Sequence, residues 1–155
     1  MSRPGRPAGP ADRERQRGQN LVEFSLALIP FLLLFMAVVD LGRGIYTSNG
    51  VAQAAREIAR VASVHQCAGP CTSATWSAEI LEVVNAQRGI VPGLQASDIT
   101  IECVEIDDTV WTVTTNCLDG KFIRVTTSAT FQLVTPLLPI PNPFTVSSTA
   151  HVQVP

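Results

Sequence analysis

The chain begins with a polar segment and then becomes strongly apolar. Residues 1–18 are rich in proline, glycine and arginine and contain almost no large apolar side chain, so we expect them to be disordered. Residues 21–41 form an apolar segment, and nothing in residues 24–39 is charged. A helix of this length rises about 30 Å, which matches the hydrocarbon core of a bilayer. The pattern therefore predicts a membrane-spanning helix.

A helical period continues beyond the apolar segment. In residues 51–64 small and branched apolar side chains recur at helical spacing, at Val51, Ala54, Ala55, Ile58, Val61 and Ala62. We expect one long helix whose outer half packs on a soluble domain through this face. Three glycines permit a bend where the helix leaves the membrane: Gly42, Gly44 and Gly50. Residues 75–89 predict a short second helix with Gly89 at its C-cap.

The second half of the chain is typical of β-strands. Residues 98–106 alternate between apolar and polar positions, with Ile99, Ile101 and Cys103 on one side. Further β-branched and aromatic stretches occupy residues 109–115, 121–134 and 144–154, separated by predicted loops at residues 91–97 and 135–143. The predicted fold class is α+β: a long N-terminal helix, first transmembrane and then amphipathic, a short second helix, and a three- or four-stranded antiparallel sheet packed on the long helix.

The charges are unevenly distributed about the apolar segment. Five arginines precede it, at Arg3, Arg6, Arg13, Arg15 and Arg17, whereas acids outnumber bases beyond Arg60. Positive flanks favour the cytoplasmic side, so the N-terminus is expected inside the cell and the C-terminal part outside. The formal net charge is only -2, which gives no electrostatic reason to expect nucleic acid as a partner.

All four cysteines, Cys67, Cys71, Cys103 and Cys117, follow the predicted span. An even number in an extracytoplasmic domain favours disulfides over free thiols or a metal site, because the spacing lacks a C-x-x-C pair. Three pairings are possible, and we favour Cys67 with Cys71, across a Gly-Pro turn, and Cys103 with Cys117. A regular hairpin turning at Asp107 would place Cys103 opposite Val113 instead, so the second pair requires an irregular hairpin.

Glu23 is the most unusual residue of the apolar segment, because a carboxylate in hydrocarbon must become neutral or find a cation. Gly18 lies five residues before it, directly after the basic segment. Cleavage after Gly18 would create a new amino group at Gln19, about one helical turn from the carboxylate. That amino group, or the one on a neighbouring copy, would pair with Glu23 and fix the axial register between packed helices.

Two further features interrupt the apolar segment. Pro30 removes a backbone donor and is expected to kink or loosen the helix, which membrane helices tolerate. Asp40 and Arg43 mark the outer boundary, three residues apart on one helix face. They either pair with each other or remain separately solvated, and the sequence favours neither.

The arrangement of Gly18, Glu23 and Phe24 before a long apolar run, with "AAREIAR" in the following helix and "FQLVTPLLP" late in the chain, resembles the TadE-like pseudopilins of the tight-adherence (Tad/Flp) pilus system. The resemblance implies cleavage after Gly18 by a membrane prepilin peptidase and a structural role as a minor pilin. Implied partners are the membrane, Flp-type major pilins, other minor pilins and the assembly platform. Phe24 replaces a tyrosine common in short pilins, so no hydroxyl contact is carried over.

This resemblance gives three predicted regions. Residues 1–18 are a cytoplasmic leader, residues 19–43 the transmembrane helix, and residues 44–155 an extracytoplasmic pilin-like domain, held in the inner membrane or carried into a pilus. Two alternatives stay open: an uncleaved single-pass anchor with an outer binding module, and a secretory signal peptide that releases residues 51–155. An enzyme is not expected, because His65 and His151 lack an evident catalytic partner; neither a cofactor nor a metal is predicted.

Overall fold

The structure is a computed structural model, and it describes residues 10–65, 67, 71–110, 117, 121–135 and 142–155, with only the backbone of residues 10–17. The named elements follow in the order helix, helix, strand, strand, strand. This is the predicted α+β class, with one long helix, one short helix and a three-stranded antiparallel sheet. The fold-class prediction is therefore confirmed.

The first helix, α1, runs from Pro10 to Val64. It includes residues 10–18, so the expectation of disorder is wrong for that part of the basic segment. Its residues are mostly alanine, arginine, glutamate and glutamine, which are good helix formers. Pro10 occupies the first helical position, where its missing N–H removes no intrahelical hydrogen bond. Residues 1–9 lie outside the described part of the chain.

The outer half of α1 supplies one wall of the core through the predicted apolar face. Six side chains on this face are fully buried: Val51, Ala54, Ala55, Ile58, Ala59 and Ala62. Four of them are alanines, so the sheet approaches the helix backbone closely. Thr127 of the sheet donates its hydroxyl to the carbonyl of Val51 at 3.0 Å, although both groups are buried. Burying Ile58 alone contributes about 1.5–3 kcal/mol to folding.

α1 continues through the three glycines near the exit, and of these Gly50 is the one at which a side chain would be crowded. A Cβ added at Gly50 would lie 3.1 Å from Val91, and one added at Gly44 would lie 3.8 Å from Phe131. The predicted bend at these glycines stays a prediction. Gly50 instead allows the chain after the second helix to approach α1.

The second helix, α2, spans Ala78–Ile90. Ser77 is its N-cap, and its side chain accepts the N–H of Ile80 at 3.3 Å. This interaction stabilises the helix start by about 1 kcal/mol. The prediction of Gly89 as the C-cap is wrong, since the helix continues to Ile90 and Val91 is the cap. The glycine with a positive φ is Gly93, where an added Cβ would lie 2.4 Å from the carbonyl oxygen of Thr130.

Three strands form one sheet in the order β1-β2-β3, and both neighbouring pairs are antiparallel: β1 is Leu94–Val104, β2 is Phe122–Phe131 and β3 is Phe144–Gln153. Residues 94–97 belong to β1 although a loop was predicted there. The ladder shows why, because Leu94 pairs with Ala129 whereas Ile99 pairs with Thr127. Extra residues on β1 bulge between these pairs, and this interrupts the alternation that marks a strand in the sequence.

The predicted strand over residues 109–115 lies mostly outside the described residues. Its beginning is visible at Val110, which forms an isolated antiparallel bridge with Val104.

Between Val104 and Val110, Asp107 accepts the N–H and the hydroxyl of Thr109 at 3.1 and 2.7 Å. The hydroxyl of Thr109, followed by its N–H, holds the pKa of Asp107 below its usual value. Asp107 therefore stabilises a turn, and this contribution is present at neutral pH and lost as the pH falls through its lowered pKa.

The structure places the cysteine sulfurs at bonding distance in the pairs that the sequence favoured. The Cα atoms of Cys67 and Cys71 are 5.3 Å apart, and those of Cys103 and Cys117 are 5.9 Å apart. Both separations lie within the range that a disulfide requires. Both pairs belong to the domain beyond the apolar half of α1.

Removing these pairs one at a time is expected to destabilise the outer domain to different extents. Serines at Cys103 and Cys117 open a loop with a sequence separation of 14, and serines at Cys67 and Cys71 one of 4. Loop entropy predicts losses of about 3 and about 2 kcal/mol. Urea unfolding of detergent-solubilised protein, followed by circular dichroism, measures both. Equal losses, or a larger loss for the short loop, would contradict the entropic account.

Candidate functional site

The inner half of α1 presents an exposed apolar surface along residues 24–39. Among the described residues, Gly18–Val64 is the one helix long and apolar enough to cross a membrane, and the most apolar stretch of it has no buried fraction. The core helix of a soluble protein can be equally long and apolar, but it is mostly buried. The apolar stretch of α1 is not buried, so it is not a core helix of this kind. Large side chains such as Phe24, Phe31 and Leu34 are each more than half exposed. Surface of this kind requires lipid or another protein to cover it.

The residues predicted for processing lie together on this exposed helix. Gly18, Gln19, Glu23 and Phe24 are all exposed. Nothing lies within 4 Å of a Cβ added at Gly18. Among the side chains that the structure describes, no basic group forms an ion pair with Glu23. A partner for this carboxylate must therefore come from the amino group that cleavage would create, from the basic segment, or from another molecule.

Pro30 lies within the exposed half of α1, and the helix continues through it. Its side chain is exposed. The predicted local loosening at Pro30 therefore stays a prediction.

A cluster of polar contacts around one buried carboxylate lies where the apolar half of α1 ends, and we call it the helix-exit clamp: Asp40, Arg43, Val134 and Thr135. Asp40 is only 4% exposed. Its carboxylate accepts the N–H of Val134 at 3.1 Å, the N–H of Thr135 at 2.8 Å and the hydroxyl of Thr135. Arg43 donates to its other oxygen at 3.1 Å. Every described donor of the clamp converges on this one carboxylate.

The clamp corrects one reading of the boundary residues. Asp40 and Arg43 do pair, but Asp40 is not a solvated boundary residue. The guanidinium of Arg43 also lies 5.3 Å from the ring centroid of Phe131, at the end of β2. The clamp therefore attaches the segment after β2 to the helix at the point where the helix leaves its apolar half. The aspartate and the arginine were evident in the sequence. The backbone N–H groups that donate to Asp40, 94 and 95 residues further along the chain, were not.

The two histidines lie at the opposite end of the domain from the clamp. Each is partly exposed and near one carboxylate: His65 lies 3.9 Å from Glu79, and His151 lies 3.8 Å from Asp108. Both therefore lie at the surface in polar contacts. Within the described ranges, no three histidine, cysteine or acidic side chains are grouped as a metal site would require.

These features define a class of α+β protein in which one N-terminal helix is exposed and apolar in its first half and packed on an antiparallel sheet in its second. The model of the family described as TadE-like protein matches residues 18–60. The family resemblance predicted from the sequence is thereby confirmed over this segment. The match begins at Gly18 and ends within the packed half of α1, before α2 and the sheet. No curated protein and no solved structure matches the chain.

Proposed function

We propose that this chain is a structural, pilin-like component of a Tad-type pilus machinery, anchored in the membrane by the inner half of α1. One observation carries the proposal: the segment that matches the TadE-like family begins with the half of α1 whose most apolar stretch has no buried fraction. A structural subunit would use such a helix in two environments: it would contact lipid before assembly and neighbouring subunits after it. The role proposed is assembly rather than catalysis.

The proposed topology follows from charge and from the position of the domain. The five arginines of residues 1–18 remain in the cytoplasm, residues 19–43 span the membrane, and residues 44–155 form the outer domain. An oxidising exterior suits the two cysteine pairs, since both belong to the outer domain. The proposed partners are a prepilin peptidase, Flp-type and minor pilins, and the assembly platform.

Maturation is proposed to occur by cleavage after Gly18. The peptide bond there lies at the junction between the charged segment and the apolar helix, and the glycine leaves the backbone open to approach. The alternative is an uncleaved single-pass anchor with an outer binding module. Sequencing the N-terminus of protein purified from membranes separates them, because the proposal expects Gln19 and the alternative expects Met1.

Glu23→Ala is expected to leave processing intact and to lower assembly with other pilins by about ten-fold or more, because a charge pair in a low-dielectric interface is lost. The measurement is the fraction of processed chain recovered in sheared pili or in cross-linked complexes. Ser25→Ala is the matched control, since the hydroxyl of Ser25 bonds only within its own helix, to Val22. Equal assembly of Glu23→Ala and the parent chain would remove Glu23 from the proposed mechanism.

A further inference from the structure

The outer domain has a near end and a far end relative to the membrane-spanning half of α1. α2 runs back along α1, because Arg60 and His65 lie beside its start whereas the hydroxyl of Tyr46 bonds the carbonyl of Ile90 at 3.4 Å. β2 also descends along α1, from Thr127 beside Val51 to the end that the clamp contacts. The near end therefore consists of the helix exit, the end of α2 and the segment after β2.

Exposed apolar side chains from these three segments gather at the near end, and we call them the apolar collar: Leu41, Ile45, Tyr46, Ile90 and Val134. Each is more than half exposed. Two hydrogen bonds place these side chains at a similar height along α1. The Tyr46 hydroxyl contacts the end of α2, and Asp40 accepts the N–H of Val134. The collar is thus continuous with the apolar surface of α1, although Ile90 and Val134 belong to other elements.

The two ends of the domain also differ in their exposed charged side chains. At the near end the exposed charged side chains of the described segments are Arg43 and Arg88. The acid of the clamp is buried, and Asp98, which is partly buried, accepts the N–H of Gln95 at 3.3 Å. The far end carries both signs: its carboxylates include Glu79, Glu105 and Asp108, and Lys121 and Arg124 form ion pairs with carboxylates there. A surface with apolar and basic side chains at one end fits the headgroup zone of a bilayer that contains anionic lipid.

We propose that the apolar collar rests in the interfacial zone of the outer leaflet, so that the domain sits on the bilayer without a stalk. This inference rests on the proposed membrane anchoring. Leu41 to Tyr46 rises about 7.5 Å along the helix, which is close to the depth of one headgroup layer. Tyrosine prefers this zone because its ring is apolar and its hydroxyl polar. Arginine reaches phosphates there from an apolar stem.

Tryptophan placed at the collar provides a test on the full chain. Ile90→Trp reports from the end of α2, and Val134→Trp is a second position should the first variant fold poorly. Ile106→Trp is the matched control, since Ile106 is 89% exposed at the far end. Each variant is reconstituted at no more than one chain per vesicle in phosphatidylcholine and phosphatidylglycerol, with and without acyl chains brominated close to the headgroup.

Contact with bromine quenches the indole, so the fluorescence added by Ile90→Trp or Val134→Trp is expected to fall by roughly half or more, and that added by Ile106→Trp to stay unchanged. Anchored protein with no quenching at either collar position would overturn the inference and leave the proposed anchoring intact. Protein that fails to float with the vesicles would overturn both. Quenching that appears only when vesicles hold several chains would indicate that the collar contacts a second copy of the chain, and this result would also overturn the inference.

Discussion

Gly18→Val is expected to leave the chain uncleaved in the membrane, with its N-terminus still at Met1. A peptidase must reach the backbone on both sides of the bond that it cuts, and a branched side chain at Gly18 obstructs that approach. The substitution has no structural cost within the chain, since nothing lies within 4 Å of the new Cβ and valine is a better helix former than glycine. The size of the membrane-bound chain, followed through a C-terminal tag, measures the effect.

The chain offers a matched control for this experiment. Gly42 lies in the same helix, and nothing lies within 4 Å of a Cβ added there either. Gly42→Val should mature as the parent chain does. Normal maturation of Gly18→Val would contradict cleavage at this bond, and a failure of both variants would indicate a defect of insertion rather than of recognition by the peptidase.

Features that depend on neighbouring residues were predictable from the sequence. The apolar run and the helical period of residues 51–64 gave both halves of α1, because each is a local pattern of side chains on one helix. The alternation of Ile99 and Ile101 likewise gave the buried face of β1. The capping role of Ser77 was missed although its signal is local: a serine directly before the first turn of a helix with Glu79 in that turn.

Features that depend on distant contacts were not predictable. β1 begins at Leu94 because Ala129 lies opposite it, and the intervening bulge conceals this strand start in the sequence. Among the described glycines, Gly93 rather than Gly89 is the one that the fold requires, because a Cβ at Gly93 would collide with β2 and one at Gly89 would meet nothing within 4 Å. The sequence favoured neither a paired nor a solvated Asp40, since its partners Val134 and Thr135 lie between β2 and β3, 94 and 95 residues further along the chain.

These contacts give the helix exit a second function beside marking the membrane boundary. Asp40 connects the apolar half of α1 with the segment after β2 through backbone hydrogen bonds. A pilin-like subunit that is pulled from lipid into an assembly by its helix would benefit from such a connection. The clamp is thus where the anchoring and folding functions of α1 meet.

Asp40→Ala is expected to lower the melting temperature of the outer domain by about 5–15 °C, because the N–H of Val134 and the buried N–H and hydroxyl of Thr135 lose their acceptor at once. Asp40→Asn should be intermediate, since its amide retains one acceptor oxygen. Thermal unfolding in detergent, with limited proteolysis of the segment after β2, measures the change. Membrane insertion should persist in both variants, because the apolar half of α1 is unchanged.

Arg43→Ala tests the ion pair of the clamp separately from its contacts with Val134 and Thr135. Arg43 is half exposed, and a pair of that kind is worth about 0–1 kcal/mol, so this variant should lower the melting temperature only slightly. If the importance of Asp40 came from its charge partner, the two alanine variants would be equally harmful. If the importance of Asp40 comes from its hydrogen bonds to Val134 and Thr135, Asp40→Ala must lower the melting temperature clearly more than Arg43→Ala does. A comparable loss in both variants would refute the proposed role of these hydrogen bonds.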